Sequence, residues 1–344
     1  MTLDFEVCGT EKSPTSSGRT GSRVAAHATL ALAAAAVYPP LMRVLIVGCG
    51  YVGLPLGAEL VRQGHEVSGL RRTEAAAARL LGAGIRPLAA DVSRPETLAA
   101  LPGEYDWVVN CVASGGGDAA TYRETYLHGT ANLLAWLAPR PPRTFLYTSS
   151  TSVYGQTDGS TVKETSRTEP AAETAQVLVE TENLLLAASA ERQFPIVILR
   201  VAGIYGPGRG HAFKLFLKHE ARLEGDGSRL MNMIHRDDLI GGIIAALHSG
   251  RPGEIYNVVD DEPVTQAHFY RWLAGTLGQP LPPVAPADPA ALHRRGATHK
   301  RVSNRKFKME IGRPFLYPNF RLGYSAEILR LERAGELEAA PDEP

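Results

Sequence analysis

Cysteine is scarce. The 344 residues hold three, Cys8, Cys49 and Cys111, an odd number spread too widely for a disulfide framework or a paired-cysteine metal site. A reducing, cytoplasmic setting is the expectation. Net charge is lacking too: 36 Lys and Arg stand against 36 Asp and Glu, so no overall field draws the chain to nucleic acid or an anionic membrane. No nucleic-acid reader motif is present. The apolar stretch from Val24 to Val37 is shorter than the ~20 residues that span a bilayer. These absences leave a small-molecule substrate as the expected partner, with no nucleic acid and no membrane.

What is present is ordinary for a folded protein, with 44% hydrophobic and 21% charged residues and enough length for one large domain or two moderate ones. Residues 1–41 differ from the rest, being rich in Ser, Thr, Gly and Ala. Arg19 and Arg23 before the apolar stretch imitate a secretory signal, but the polar lead containing Asp4, Glu6 and Glu11 does not. A disordered extension, a start assigned ahead of a true beginning at Met42, and a targeting peptide are the three readings.

From Met42 short β-branched runs alternate with longer amphipathic or Ala-rich stretches, the pattern of βα units around a parallel sheet. Strands are expected at Arg43 to Val47, Glu66 to Leu70, Arg86 to Ala90, Trp107 to Cys111, Thr144 to Ser149 and Ile196 to Val201. Helices are expected at Leu54 to Gln63, Thr73 to Leu81, Ala119 to Leu137 and Ala171 to Arg192. After Gly203 the βα rhythm gives way to loops and short apolar runs. The predicted fold class is therefore α/β: a Rossmann-type doubly wound parallel sheet over residues 42–202 and a smaller α+β substrate lobe over 203–332. Some segments of that lobe return to the sheet. The Pro-rich stretch 280–289 is expected on the surface, and residues 333–344 as a disordered tail.

The turn Gly48-Cys49-Gly50-Tyr51-Val52-Gly53 follows the first strand and opens a helix. Gly48 permits the tight turn, Gly50 lets backbone approach a pyrophosphate, and Gly53 lets the helix pack on its strand, while free N–H groups hold the anion. Strand before and helix after give the motif the context it needs; without a ligand it is only a tight βα turn. The second strand ends in Arg71 and Arg72, with no acid to hold the ribose hydroxyls. A guanidinium about 20 residues into the unit suits a 2′-phosphate, which favours NADP, with NAD the alternative if both arginines merely cap the strand in solvent. Asp91 and Val92, after the third strand, are expected to flank the adenine, with Asp91 accepting from its amino group.

Six further segments carry a resemblance. They are Val108 to Ala113 (VVNCVA), Thr125 to Leu134 (TYLHGTANLL), Tyr147 to Gly155 (YTSSTSVYG), Leu199 to Arg209 (LRVAGIYGPGR), Gly225 to Gly227 and Ile234 to Leu239 (IHRDDL). In order and spacing the chain resembles the short-chain dehydrogenase/reductase superfamily, in its extended branch of nucleotide-sugar epimerases, dehydratases and reductases. The resemblance implies that Val112 and Ala113 lie along the cofactor and that Ala202, Gly203 and Ile204 border the nicotinamide. It also implies a dimer through helices flanking the sheet, a role open to Ala119 to Leu137 and Ala171 to Arg192.

Catalysis in that superfamily combines a hydroxyl that polarises a carbonyl, a Tyr acid/base and a Lys four residues later. A phenol of pKa ~10 needs such an ammonium to exchange protons near neutrality. Ser150 matches the hydroxyl residue by its spacing from Tyr154-Gly155. Counting back from Glu182 puts the Tyr position at Thr174 and the Lys position at Leu178, and no Tyr in the chain has Lys at the fourth residue after it. The chain thus resembles the atypical members, a match extended by Ile255 to Pro263 and by Ser303 to Tyr324.

Other residues invite roles. Tyr154 and Tyr205 are candidate proton donors that sit in stretches resembling structural parts of the family. His235, Asp237 and Asp238 evoke a metal, but acids at a helix start are better explained by capping and dipole compensation, and no metal site is expected. Cys111 reads as a core residue rather than a reactive thiol. The basic run His293-Arg294-Arg295, Lys300-Arg301, Arg305, Lys306 and Lys308 reads as a solvated face rather than a phosphate clamp. Two functions remain. One is an NAD(P)-dependent oxidoreductase or epimerase acting on a carbonyl, carbinol or nucleotide-sugar-like molecule with a non-standard proton donor. The other is a non-catalytic NADP-binding regulatory or sensor protein.

Overall fold

The computed structural model describes residues 41–192, 194–286 and 298–337. Its first half is built from β1 (Arg43–Val47), β2 (Glu66–Arg71), β3 (Arg86–Ala89), β4 (Trp107–Asn110), β5 (Thr144–Ser150) and β6 (Thr161–Val162). There follow β7 (Ile196–Val201), β8 (Gly203–Tyr205), β9 (Leu230–Met231), β10 (Met233–His235), β11 (Glu254–Val258), β12 (Val264–Thr265) and β13 (Arg301–Val302). Seven of these form one parallel sheet in the order β11-β7-β5-β4-β1-β2-β3. The chain winds outward from β1 through β2 to β3, then returns to place β4 on the other side of β1. That reversal opens a crevice beyond the carboxyl ends of β1 and β4, where open α/β sheets bind ligands.

The continuous apolar runs follow from burial on both faces. Val44 and Ile46 pack into one layer and Leu45 and Val47 into the other, each fully inaccessible to solvent. The helix after β1 spans Gly53–Arg62 and buries Leu56 and Leu60. All six expected strands form, within a residue of their expected ends. The helix expected at Thr73 to Leu81 stops at Ala78, capped at its start by the Thr73 hydroxyl, and gives way to a 3-10 turn at Leu81–Ala83. The stretch from Ala119 to Leu137 is interrupted by a π-helical segment, Arg123–His128, between α-helices Ala119–Tyr122 and Gly129–Leu137. Such π segments gather at functional sites, and this one borders the crevice through Glu124, Thr125 and Tyr126.

After Gly203 the βα rhythm has not wholly ended. Helix Arg236–Ser249 leads into β11, which pairs with β7 as the edge of the main sheet. The remaining strands form small two-stranded pairs: β10 with β8, β12 with β9 and β13 with β6. Around them lies a separate aromatic core of Tyr205, Phe213, Phe216, Phe269, Tyr270, Phe320 and Tyr324. In the Pro-rich stretch Leu281 and Val284 are exposed.

Candidate functional site

A cleft of about 2180 Å³ runs from the glycine turn after β1, along the ends of β2 to β5, to the small sheets of the C-terminal part. Single small-ligand pockets occupy roughly 300–1,000 Å³, so the cleft has room for a dinucleotide and a second molecule. Gly48, Gly50, Tyr51, Val52, Arg71, Arg72, Asp91, Val92, Val112, Ala113, Ser150, Leu178, Ala202, Gly203 and Ile204 all line it. Gly53 and Thr174 do not.

Gly48 has φ of 83°, and a Cβ there would stand 2.5 Å from Val112 Cα, so turn and β4 end meet without room for a side chain. Gly53 acts in packing, since a Cβ would meet Gly48 O and Ile46 Cγ2 at 2.9 Å. The helix Gly53–Arg62 has no side-chain N-cap and no acid in its first turn. The turn residues Gly50, Tyr51 and Val52 just before it line the cleft, so this helix start offers a pyrophosphate a place without a competing side-chain anion. The buried Tyr51 hydroxyl has no hydrogen-bond partner among the described residues. Arg209, whose guanidinium lies 4.9 Å from the Tyr51 ring centroid, adds positive charge. These residues fit a dinucleotide.

Arg71 Nη1 donates to Cys49 O at 2.8 Å, which folds the half-buried guanidinium over the glycine turn rather than out into solvent. Arg72 is exposed at the same rim. Asp91 forms a turn of its own, its Oδ1 accepting from Ser93 N at 3.0 Å and Ser93 Oγ at 2.8 Å. Burial opposes the charge, but the Ser93 bonds, with Arg72 and Arg94 nearby, hold the Asp91 carboxyl below the usual carboxylate range. Asn132 Nδ2 fixes Val92 by its carbonyl at 2.9 Å.

At the far end of the cleft, Ser150 closes β5 and caps the 3-10 turn Thr151–Val153. Its Oγ accepts from Ser152 N at 3.2 Å, leaving the hydroxyl proton to donate. Helix Glu173–Arg192 faces it with Ala175 and Leu178, while Thr174 is half-buried outside the lining. Where a phenol and an ammonium are expected from the resemblance, the wall is apolar.

Tyr154 is fully buried and does not line the cleft. Its hydroxyl accepts from Arg200 Nη1 and donates to Asn257 Oδ1, both at 2.8 Å. Arg200 also pairs with Glu182 at 2.7 Å, both nearly inaccessible, and Ser149 Oγ donates to Glu182 Oε1 at 2.6 Å. Burial raises the Tyr154 hydroxyl pKa despite Arg200, so Tyr154 braces the fold behind Ser150. Tyr205 lines the cleft but stacks on Tyr324 with centroids 4.4 Å apart, and burial pushes its pKa far above the ordinary phenol value. Burial likewise pushes the Cys49 and Cys111 thiols up to about 12, so both stay protonated. Cys8 lies outside the described residues, as does the 1–40 segment.

Two expectations need correction. Capping of helix Arg236–Ser249 falls to His235, whose Nδ1 accepts from Asp237 N at 3.2 Å. Asp238 instead receives Leu316 N at 2.6 Å and Tyr317 N at 2.8 Å, pinning a distant segment to the helix. The basic run is not all a solvated face. Arg301, Arg305 and Lys308 are exposed and His293, Arg294 and Arg295 lie outside the described residues, but Lys300 is 3% exposed and lines the cleft. Its Nζ donates to Tyr154 O at 2.9 Å and to Thr298 Oγ1. Burial alone lowers its pKa from 10.5 to about 8. The period-two alternation of a strand was the missed signal: Lys300 and buried Val302 share one face, with exposed Arg301 on the other.

The model of the NAD-dependent epimerase/dehydratase family matches residues 44–258. Protein YeeZ of Escherichia coli K12 is 35% identical over 246 residues, 69% of this chain and 85% of YeeZ. DesIV of Streptomyces venezuelae, a dTDP-glucose 4,6-dehydratase solved with NAD bound, superimposes with a TM-score of 0.73 at 25% identity, over 86% of this chain and 99% of DesIV. The UDP-glucose 4-epimerase of Thermotoga maritima gives the same TM-score at 17% identity over 86% of this chain and 100% of its own, a likeness of fold.

Proposed function

This chain belongs to the NAD-dependent epimerase/dehydratase family, and we propose that it binds NADP in preference to NAD and oxidises or reduces an oxygen-bearing carbon of a small molecule. The observation that carries this reading is one continuous cleft with the uncapped glycine turn and Arg71 at one end and the Ser150 hydroxyl at the other. When bound, the cofactor exchanges a hydride with the substrate carbon. The amides of the glycine turn would hold its pyrophosphate, Arg71 and Arg72 its 2′-phosphate, and Asp91 and Val92 its adenine. Val112, Ala113, Ala202, Gly203 and Ile204 would bound the remainder and keep water from the reacting face.

Ser150 donates its free hydroxyl proton to the substrate oxygen and so favours charge building there. The apolar Ala175 and Leu178 wall supplies no proton, so water or another hydroxyl of the cleft completes the transfer. That same wall favours a second reading, an NADP-binding protein that performs no chemistry. The two separate in a screen of carbonyl compounds for NADPH oxidation. An active compound whose turnover falls about 10²–10³-fold in Ser150→Ala, the worth of one such donor, supports the enzyme. Equal turnover removes Ser150 from the mechanism, and tight NADPH binding with no active compound favours the second reading.

A further inference from the structure

Lys300 is a cation placed where a structural residue has no need of one. Joining the strand at Arg301–Val302 to the Tyr154 carbonyl requires only a neutral donor, yet the chain buries an ammonium against two neutral oxygens, Tyr154 O at 2.9 Å and Thr298 Oγ1. Among the described residues no carboxylate pairs with it and no charged side chain shifts it; burial is the sole influence. An uncompensated buried charge is costly unless something repays it. Two of the three ammonium protons are engaged, one donor position of the ammonium is left over, and Lys300 is one of the residues that line the cleft.

The position is built, not incidental. Gly203 N donates to Asn232 O at 3.1 Å, and Asn232 Nδ2 donates to Lys300 O at 2.9 Å while its Oδ1 receives Val302 N at 2.9 Å. One residue, through its carbonyl and its side chain, thus ties Lys300 to the Gly203 edge of the cleft. Through Nζ the same lysine holds Tyr154, the C-cap of the 3-10 turn that Ser150 caps at its start. Ser150 and the residue that Lys300 holds thus flank the same short turn.

We propose that Lys300 receives a carboxylate of the substrate, so that the cleft takes a small oxo or hydroxy acid whose reacting carbon lies at Ser150. A single ammonium with no second cation bonded beside it matches a single negative charge better than a phosphate, which carries about −1.5 to −2 at neutral pH. The inference rests on the reading of Ser150 and the glycine turn as two ends of one reaction cleft.

The test uses the full chain saturated with NADPH. Short oxo acids of four to six carbons, each beside its amide, are titrated by calorimetry and by ligand-observed NMR. The variants are Lys300→Met, which matches the stem without charge, and Lys300→Gln, which keeps a neutral donor for Tyr154 O. Thermal melts establish that each is folded. The expected result is that at least one acid binds the unsubstituted protein about 10- to 100-fold tighter than its amide, and that this preference disappears in both variants while NADPH affinity is unchanged. Retention of the preference in folded Lys300→Gln overturns the proposal, as does binding of acids and amides alike or of no acid. Lys300-dependent displacement by inorganic phosphate at lower concentration than any acid overturns the carboxylate assignment. Failure to bind either nicotinamide cofactor would instead break the underlying reading of the cleft, an outcome visible before any acid is added.

Discussion

The buried ammonium of Lys300 should make stability depend on pH in a way that one substitution removes. Its pKa falls from 10.5 to about 8 on folding. Below pH 8 both states carry the proton, and the difference is silent. Between 8 and 10.5 the unfolded chain binds a proton that the folded one lacks, so stability rises with pH, by up to about 1.4 kcal/mol per unit. Integrated from pH 7 to pH 10, this amounts to about 2–3 kcal/mol. Lys300→Met lacks the titration, and subtracting its profile cancels every other group. Urea unfolding of both proteins at pH 7, 8, 9 and 10 reads the effect: the stability of the unsubstituted chain relative to Lys300→Met should climb through this range. Parallel profiles would mean that Lys300 keeps a solvated pKa and that the argument from its burial is wrong.

Gly48→Ala should cost about 2–4 kcal/mol in urea denaturation and abolish NADPH binding, because a Cβ meets Val112 Cα at 2.5 Å and φ of 83° penalises an L side chain. A loss below 1 kcal/mol with binding intact would contradict that geometry. Glu182→Leu strands the guanidinium of Arg200, 4% exposed, and should destabilise by about 3–5 kcal/mol. Glu182→Leu with Arg200→Met together should recover much of that loss, and additive losses would show that the pair is not coupled.

How much of this was legible in the sequence depended on whether a feature is local. Most of the six sheet strands found from sequence are short apolar runs, the central ones buried on both faces, and the glycine turn is contained in six consecutive residues. β11, Glu254–Val258, was harder because it pairs with β7 some fifty residues earlier, across an intervening lobe. The Glu182–Arg200 pair is likewise tertiary: a glutamate in a helix and an arginine in a strand say nothing of each other until the helix packs on the sheet. Arg71 was found by position, but its bond to Cys49 O, which aims it at the turn, needed coordinates. Lys300 was hidden by its basic neighbours, since composition marks a charge run as solvated while strand alternation turns one member inward.

The proposed dinucleotide cleft would select NADP through Arg71. Its most direct test is calorimetric titration of the chain and of Arg71→Ala with NADPH and with NADH. The account predicts that NADPH binds about 10- to 100-fold tighter than NADH and that Arg71→Ala loses this preference by weakening NADPH alone. Equal affinities in the unsubstituted chain would make Arg71 a brace for the glycine turn with no role in selection, and absence of binding to both would leave the turn a structural feature and contradict the account.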